Sequence, residues 1–259
     1  MVVVPVAGEP GPVAAEELVG RAGGDAMVRA FAPGAERAWC GDGAVAMVTL
    51  DAEDRVPMLL AAGTPAGVST VVVSAAADLV RDGLAVPRLT VPRGAMEFLP
   101  ARLRPRQVVP WEWRSLDAPP PVGPGEDRVS WLGAADHDDV TALLEAAGRG
   151  TSVWPGDPAA RRWAGIRDDG ALVACLADTS RWADVGHISG ISTAPSARGH
   201  GHATTITAWA SRRLLGEGAR LVTLGVFASN AAARRVYDRL GFTATHPMTT
   251  GDPPAPTRS

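Results

Sequence analysis

The segment Arg198-Gly-His-Gly-His-Ala203 lies between an apolar run, Gly186 to Thr193, and an amphipathic stretch that begins near Gly201, and parts in that order can hold an anion. Glycines let the backbone approach a ligand closely, successive amide N–H groups can converge on phosphate oxygens, and a helix N-terminus adds roughly half a positive charge. Arg198 contributes a fixed guanidinium. The alternative is an arginine in a surface turn ahead of an ordinary helix. Two nucleotide motifs fit badly. A dinucleotide fingerprint needs glycine or alanine where Thr204 stands, and a P-loop needs Gly-Lys-Ser/Thr, whereas all 25 basic residues of the chain are arginine.

Further along, Val226-Phe-Ala-Ser-Asn-Ala-Ala-Ala-Arg-Arg-Val-Tyr-Asp-Arg-Leu-Gly-Phe242 places Asn230 at a helix start, Tyr237 seven residues on and Gly-Phe at the close. Tyr237 is the only tyrosine. A phenol with pKa near 10 can donate a proton without being ionised at neutral pH; the competing reading is a core aromatic in line with Ala233 and Leu240. On the strand before the loop, alternation puts His187, Ser189 and Ile191 on one face, which makes His187 the proton acceptor best placed, with water or Asp184 as competitors. His200 and His202 have no third ligand nearby in sequence, so they read as neighbours of the anion and no metal is expected.

These residues need a frame. Val129 to Leu132 reads as a strand, and Val140, Leu143, Leu144 and Ala147 fall on one face of a helix capped by Asp136 or Asp138, with a second short helix expected after it. Strands follow at Trp163 to Arg167 and Ala171 to Ala177 around the turn Asp168-Asp-Gly170, then at Gly186 to Thr193. A helix from Gly201 to Leu215, a strand at Leu221 to Phe227, a helix from Asn230 to Leu240 and a strand from Phe242 to Thr249 complete a mixed α/β sheet with packed helices. The first half offers a helical segment at 14–29, a hairpin at 38–50 turning on Gly41-Asp-Gly43, apolar runs at 56–62 and 68–73, and a strand at 107–113. Gly41-Asp-Gly-Ala-Val-Ala46 echoes Asp168-Asp-Gly-Ala-Leu-Val-Ala174, each following a Trp by a few residues, a hint that the halves are distant copies of one unit. Residues 118–126, rich in Pro and Gly, read as a linker between an α/β domain at 1–117 and a second domain at 127–250; 251–259 reads as a frayed tail.

Taken together, the loop and the later helix resemble the GNAT superfamily of acyl-CoA-dependent N-acyltransferases. The family's loop pattern, Arg or Gln, two residues, Gly, one residue, Gly or Ala, is matched by Arg198, Gly201 and Ala203; its second pattern is matched by Asn230, Tyr237, Gly241 and Phe242. The resemblance spans residues 129–250, with the first half as a second, smaller and degenerate GNAT-like domain. It implies that the amides of Gly199, Gly201 and Ala203, the Arg198 side chain and His202 lie at the pyrophosphate of acetyl-CoA. It implies further that Ile191 offers its amide to the thioester carbonyl, that Thr193 pairs through its backbone with the pantetheine arm, that Asn230 helps hold the pantetheine end, and that Tyr237 is the general acid. Many family members carry a glutamate on the strand before the loop; here 185–191 has none, which leaves His187 as the base. The expected reaction is acetyl transfer to the primary amine of a small molecule, with a peptide N-terminus and a non-catalytic acyl-CoA-binding role as alternatives. In the first half, Trp111 and Trp113, with Trp154 beyond the linker, are candidates to line the acceptor pocket.

A formal charge of −3 gives no basic field for nucleic acid, and no run approaches the ~20 apolar residues of a membrane span. The N-terminus lacks a basic region before its short apolar run, and Cys40 and Cys175 stand far apart with no ligand spacing, so a reduced, cytoplasmic protein is expected. A homodimer stays open.

Overall fold

The computed structural model describes residues 10–41, 43–51, 55–148, 151, 153–182 and 184–255. One mixed sheet of twelve strands runs through them. The first half contributes β1 (Gly11–Val13), β2 (Arg37–Gly41), β3 (Ala44–Leu50), β4 (Pro57–Gly63), β5 (Arg88–Pro92) and β6 (Val109–Leu116). The second contributes β7 (Val129–Trp131), β8 (Arg162–Asp168), β9 (Ala171–Asp178), β10 (Val185–Thr193), β11 (Leu221–Phe227) and β12 (Ala244–Gly251).

The spatial order is β1-β2-β3-β4-β5-β12-β6-β11-β10-β9-β8-β7. The last strand of each half therefore crosses into the other: β12 pairs with β5, β6 pairs with β11, and the two pair with each other. Residues 117–126 connect the halves along the surface of α5 (His202–Gly216), where the Arg212 guanidinium donates to the carbonyls of Pro120 and Pro121 and to Glu126.

Helices α1 (Leu18–Arg21), α2 (Ala26–Phe31) and α4 (His137–Ala147) cover one face; α3 (Pro65–Arg81), α5 and α6 (Ala231–Leu240) cover the other. Alternation along the strands produces the two layers. On β3, Ala44, Ala46 and Val48 pack under α3 while Val45 and Met47 pack toward α1 and α2.

Three expectations for local structure are corrected. The helix expected at 14–29 is broken, because Gly23 and Gly24 adopt positive φ and Asp25 starts α2 afresh by accepting from the amides of Met27 and Val28. The apolar run at 68–73 is the buried stripe of α3, a helix that Thr64 caps and Pro65 opens. After α4 the described residues hold turns and no second helix. The hairpin tip Asp42 lies outside the described residues, as do 256–259 of the tail; residues 252–255 carry no regular structure.

Candidate active site

Strands β10 and β11 are parallel neighbours only at their first three pairs, Val185 with Leu221, Gly186 with Val222 and His187 with Thr223. Beyond His187 they part, while β11 stays zipped to β6 as far as Phe227 opposite Trp111. The other edge of β10 holds to β9 through a bulge: Ser189 faces Ala177 and Ser192 faces Cys175, so Gly190 and Ile191 oppose a single residue. Gly190 has φ +60, and a Cβ there would meet the Trp163 ring at 3.1 Å. The bulge bends β10 away from β11 and opens a wedge.

The bulge also corrects the expected alternation. Ile191 packs with Ile188 and the α5–α6 layer, not beside His187 and Ser189. Ala194 donates its amide to Val173 on β9, so the amides of the alternate residues Thr193 and Ile191 turn toward the wedge.

A short turn at Pro195–Ala197 leads into the glycine loop. Gly199 (φ +85) and Gly201 (φ +84) sit in left-handed conformations with no atom within 4 Å of a Cβ position, and Gly201 is the N-cap of α5 without a side chain to close it. Among the described residues, no protein acceptor takes the amides of Gly199, His200, Gly201, His202, Ala203 or Thr204. Six donors at the positive end of a fifteen-residue helix form an anion cradle. Arg198 reaches sideways as well: its Nη2 donates to the Ala147 carbonyl at 2.9 Å, fastening the loop to the C-terminal end of α4. The His202 ring is buried, with its pKa lowered by that burial and by the charges of Arg128 and His200. Only its amide is therefore placed for an anion, a correction to the expectation for the side chain.

Across the wedge stands α6. Asn230 caps it, its Oδ1 accepting from the Ala233 amide at 3.2 Å, so part of its hydrogen-bonding capacity is committed to the helix. Tyr237 is buried in the layer between α6 and the sheet, with Phe242 edge-on at 5.9 Å. Its neighbour Asp238 belongs to a charge cluster that the sequence did not reveal. Arg114 of β6, buried, donates through Nε and Nη2 to Glu112 and through Nη1 to Asp238, and Arg234 of α6 reaches Glu112 at 2.9 Å. Strand β6 thus holds the helix that carries Tyr237. Two-residue alternation of Glu112 and Arg114 on a strand was the available signal, but their partner helix lies more than a hundred residues away.

His187 is buried at the closed vertex of the wedge. Burial pushes its pKa down to about 4, Asp178 opposing and Arg181 reinforcing the shift. Its Nδ1 lies 2.7 Å from Thr223 Oγ1, and since that hydroxyl donates to the Gly186 carbonyl, Nδ1 carries the proton. Such an imidazole takes up a proton less readily than a free one, which weighs against its expected role as the base. Asp184 is no substitute: it is tied to Arg220 at the opposite end of β10 from the loop, its pKa lowered by that hydrogen bond. Trp113 is buried against His246, leaving Trp111, whose ring lies 3.6 Å from a Cβ position at Gly225, and half-exposed Trp154 as aromatic candidates. The described residues contain no cluster of three or more His, Cys, Asp or Glu fit for a metal. No helix among them is long and apolar enough to cross a membrane.

Comparison with known proteins gives this geometry a lineage. The profile of the acetyltransferase (GNAT) family matches residues 113–242, half of the chain, from β6 to the end of α6. Solved structures share the fold over both halves: a GCN5-related N-acetyltransferase from Kribbella flavida has a TM-score of 0.56 at 20% identity, covering 94% of this chain and 96% of its own. An acetyltransferase of the GNAT family from Colwellia psychrerythraea reaches 0.53 at 12% identity over 95% and 100%, and a putative one from Novosphingobium aromaticivorans DSM 12444 reaches 0.53 at 24% over 77% and 89%. Curated proteins give no significant sequence match. On the matched half, with the wedge and cradle it contains, the chain belongs to the acetyltransferase (GNAT) family.

Proposed function

We propose that the second half transfers the acetyl group of acetyl-CoA to the primary amine of a small molecule by direct attack on the thioester. The observation that carries this reading is the pairing of an opened β10–β11 wedge with a cradle of unpartnered amides at the start of α5. A pyrophosphate suits that cradle: both glycines leave open space, and the amides are not spent on protein acceptors among the described residues. Bound there, acetyl-CoA supplies an activated acyl group.

The chain's own residues then have distinct tasks. The amide of Thr193, on the open edge of β10, can pair with an extended arm as a further strand would. The amide of Ile191 can donate to the carbonyl oxygen as charge develops on it, an effect worth a few kcal/mol in comparable donors. Tyr237 protonates the departing sulfur. With His187 weakened by burial, the amine sheds its proton to water on the open side of the wedge, and the His187–Thr223 pair serves to fix the vertex. Trp111 over Gly225, with exposed Phe227 at the strand end, offers an aromatic lip for the apolar part of the acceptor.

The first half, in this reading, is a second and degenerate unit of the same fold, supported by its matching succession of strands and helices and by the mirrored order of the sheet.

The test is thiol release from acetyl-CoA across a panel of amines, with the product identified by mass. Tyr237→Phe is expected to lower kcat at least tenfold with acetyl-CoA affinity kept; an unchanged kcat would remove Tyr237 from the chemistry. A second reading, acyl-CoA binding without turnover, is favoured by the weak basicity of His187 and the lack of a carboxylate on β10. It predicts tight binding with no thiol release for any amine.

A further inference from the structure

The first half has its own parting strands. β4 and β5 run parallel at Met58 to Leu60 against Arg88 to Thr90 and then separate, and a cavity of about 220 Å³ lies at their open end beneath α1 and α2. That is the share of about seven liquid waters, room for a short aliphatic chain or one aromatic ring. Ala22, Ala62, Pro92 and Pro247 form apolar walls, with Met27, Val45 and Met248 buried behind them.

The charges around the cavity are unevenly free. Its one carboxylate among the described residues, Asp25, is fully engaged: Oδ1 accepts from two amides of α2 and Oδ2 from His246 Nε2 at 2.7 Å. Burial raises the pKa of Asp25, but those hydrogen bonds and the His246 charge outweigh it and lower the pKa overall. No acid is left to hold a cation. At the rim stand two guanidiniums, Arg21 and Arg93, both exposed. Arg21 has only a long 3.7 Å contact with exposed Glu17, and Arg93 a 3.3 Å hydrogen bond to the Trp111 carbonyl.

The adjoining helix offers no phosphate cradle of its own. Thr64 caps α3 with its own hydroxyl on the Gly67 amide and Pro65 has no N–H, so the strand passes into the helix without a cradle.

We propose that this cavity is a second ligand site, separate from the β10–β11 wedge, that takes a small carboxylate with an aliphatic or aromatic body, its acid group at Arg21 and Arg93 and its body against Ala22, Ala62, Pro92 and Pro247. It borders the transferase half through His246, whose ring meets the Trp113 edge at 5.2 Å, and Trp113 faces Gly225 of β11.

Calorimetric titration of the full chain with hexanoate and 3-phenylpropionate, against hexylamine, hexanol and coenzyme A, tests this. Saturable binding of the acids is expected, weakened at least fivefold in Arg93→Ala and in Arg21→Ala, and lost in Ala62→Leu. Gly201→Asp, which alters only the α5 cradle, should leave acid binding unchanged while coenzyme A binding falls, so the two sites fail separately. The proposal is overturned if neither acid binds, if the amine or alcohol binds as well as the acids, or if Arg93→Ala and Arg21→Ala leave the affinity unchanged. The arginines are exposed, so those variants remain informative even should Ala62→Leu misfold.

Discussion

Two strand-to-helix junctions occupy matching places in the two halves, and their differences are chemical. After β4 the chain turns at Thr64-Pro65 straight into α3, with a hydroxyl consuming one helix-end amide and proline removing another. After β10 it takes eight further residues, two of them left-handed glycines, before α5 begins with its amides unspent. Closing a helix end stabilises it; leaving it open makes a binding site. The same architecture thus yields a sealed junction beside an apolar cavity in one half and an anion cradle beside a wedge in the other.

The comparison can be broken most strongly by sealing the second junction. Gly201→Asp puts a carboxylate where Thr64 stands in the first half, where it competes for the amides and repels phosphate. Coenzyme A binding is expected to weaken on the order of a hundredfold or more, since charge-assisted hydrogen bonds contribute about 1.5–3 kcal/mol each. Thr64→Gly should leave that affinity unchanged, and calorimetry compares them directly.

Next in size is Arg114→Met. It leaves Glu112 buried beside only Arg234, and removing one partner of a buried pair costs about 3–5 kcal/mol. Chemical denaturation should register that loss. At temperatures where the variant stays folded, kcat should fall more than KM for acetyl-CoA, because the contact holds α6 and Tyr237 rather than the cradle. Arg114→Lys should recover part of it.

His187 gives a pH signature that its first-half counterpart in register, Leu60, cannot. Its folded pKa of about 4 lies below the ordinary 6.5, so between these values the unfolded chain binds more protons and stability rises with pH. The contribution is intact above pH 6.5 and is lost as pH falls toward 4, on the order of 3 kcal/mol in all. Denaturation at pH 7.5 and pH 4.5 should therefore differ more in the parent than in His187→Gln.

The smallest effect is expected from Gly190→Ala. Left-handed φ and the nearby Trp163 ring make any side chain unwelcome, at about 1–3 kcal/mol, and the bulge should shift. Thermal unfolding measures the cost, and a raised KM for acetyl-CoA would report the narrowed wedge.

Much of the second half was legible because its periods are clean. Leu221–Phe227 alternates, Val140, Leu143, Leu144 and Ala147 recur at helical spacing, and glycines punctuate the loop. The candidate site was legible where it is local, in the loop and in the helix from Asn230 to Gly241. What sequence spacing could not carry was depth and neighbourhood. Nothing near His187 announces that burial weakens it, and alternation in Glu112-Trp-Arg114 marks a strand without naming the helix beside it. One inserted residue at the β10 bulge was enough to turn Ile191 to the opposite face. In α3, a run of β-branched residues masked a helix that its cap and tertiary packing impose.

The exchange of final strands has a consequence in time. β5 is complete at Pro92, but the strand that covers its edge, β12, begins only at Ala244. At ordinary synthesis rates that edge waits roughly ten to thirty seconds for its partner. A waiting β edge can recruit a neighbouring chain instead. A chain cut short before Ala244 would leave the β5 edge without the strand that covers it.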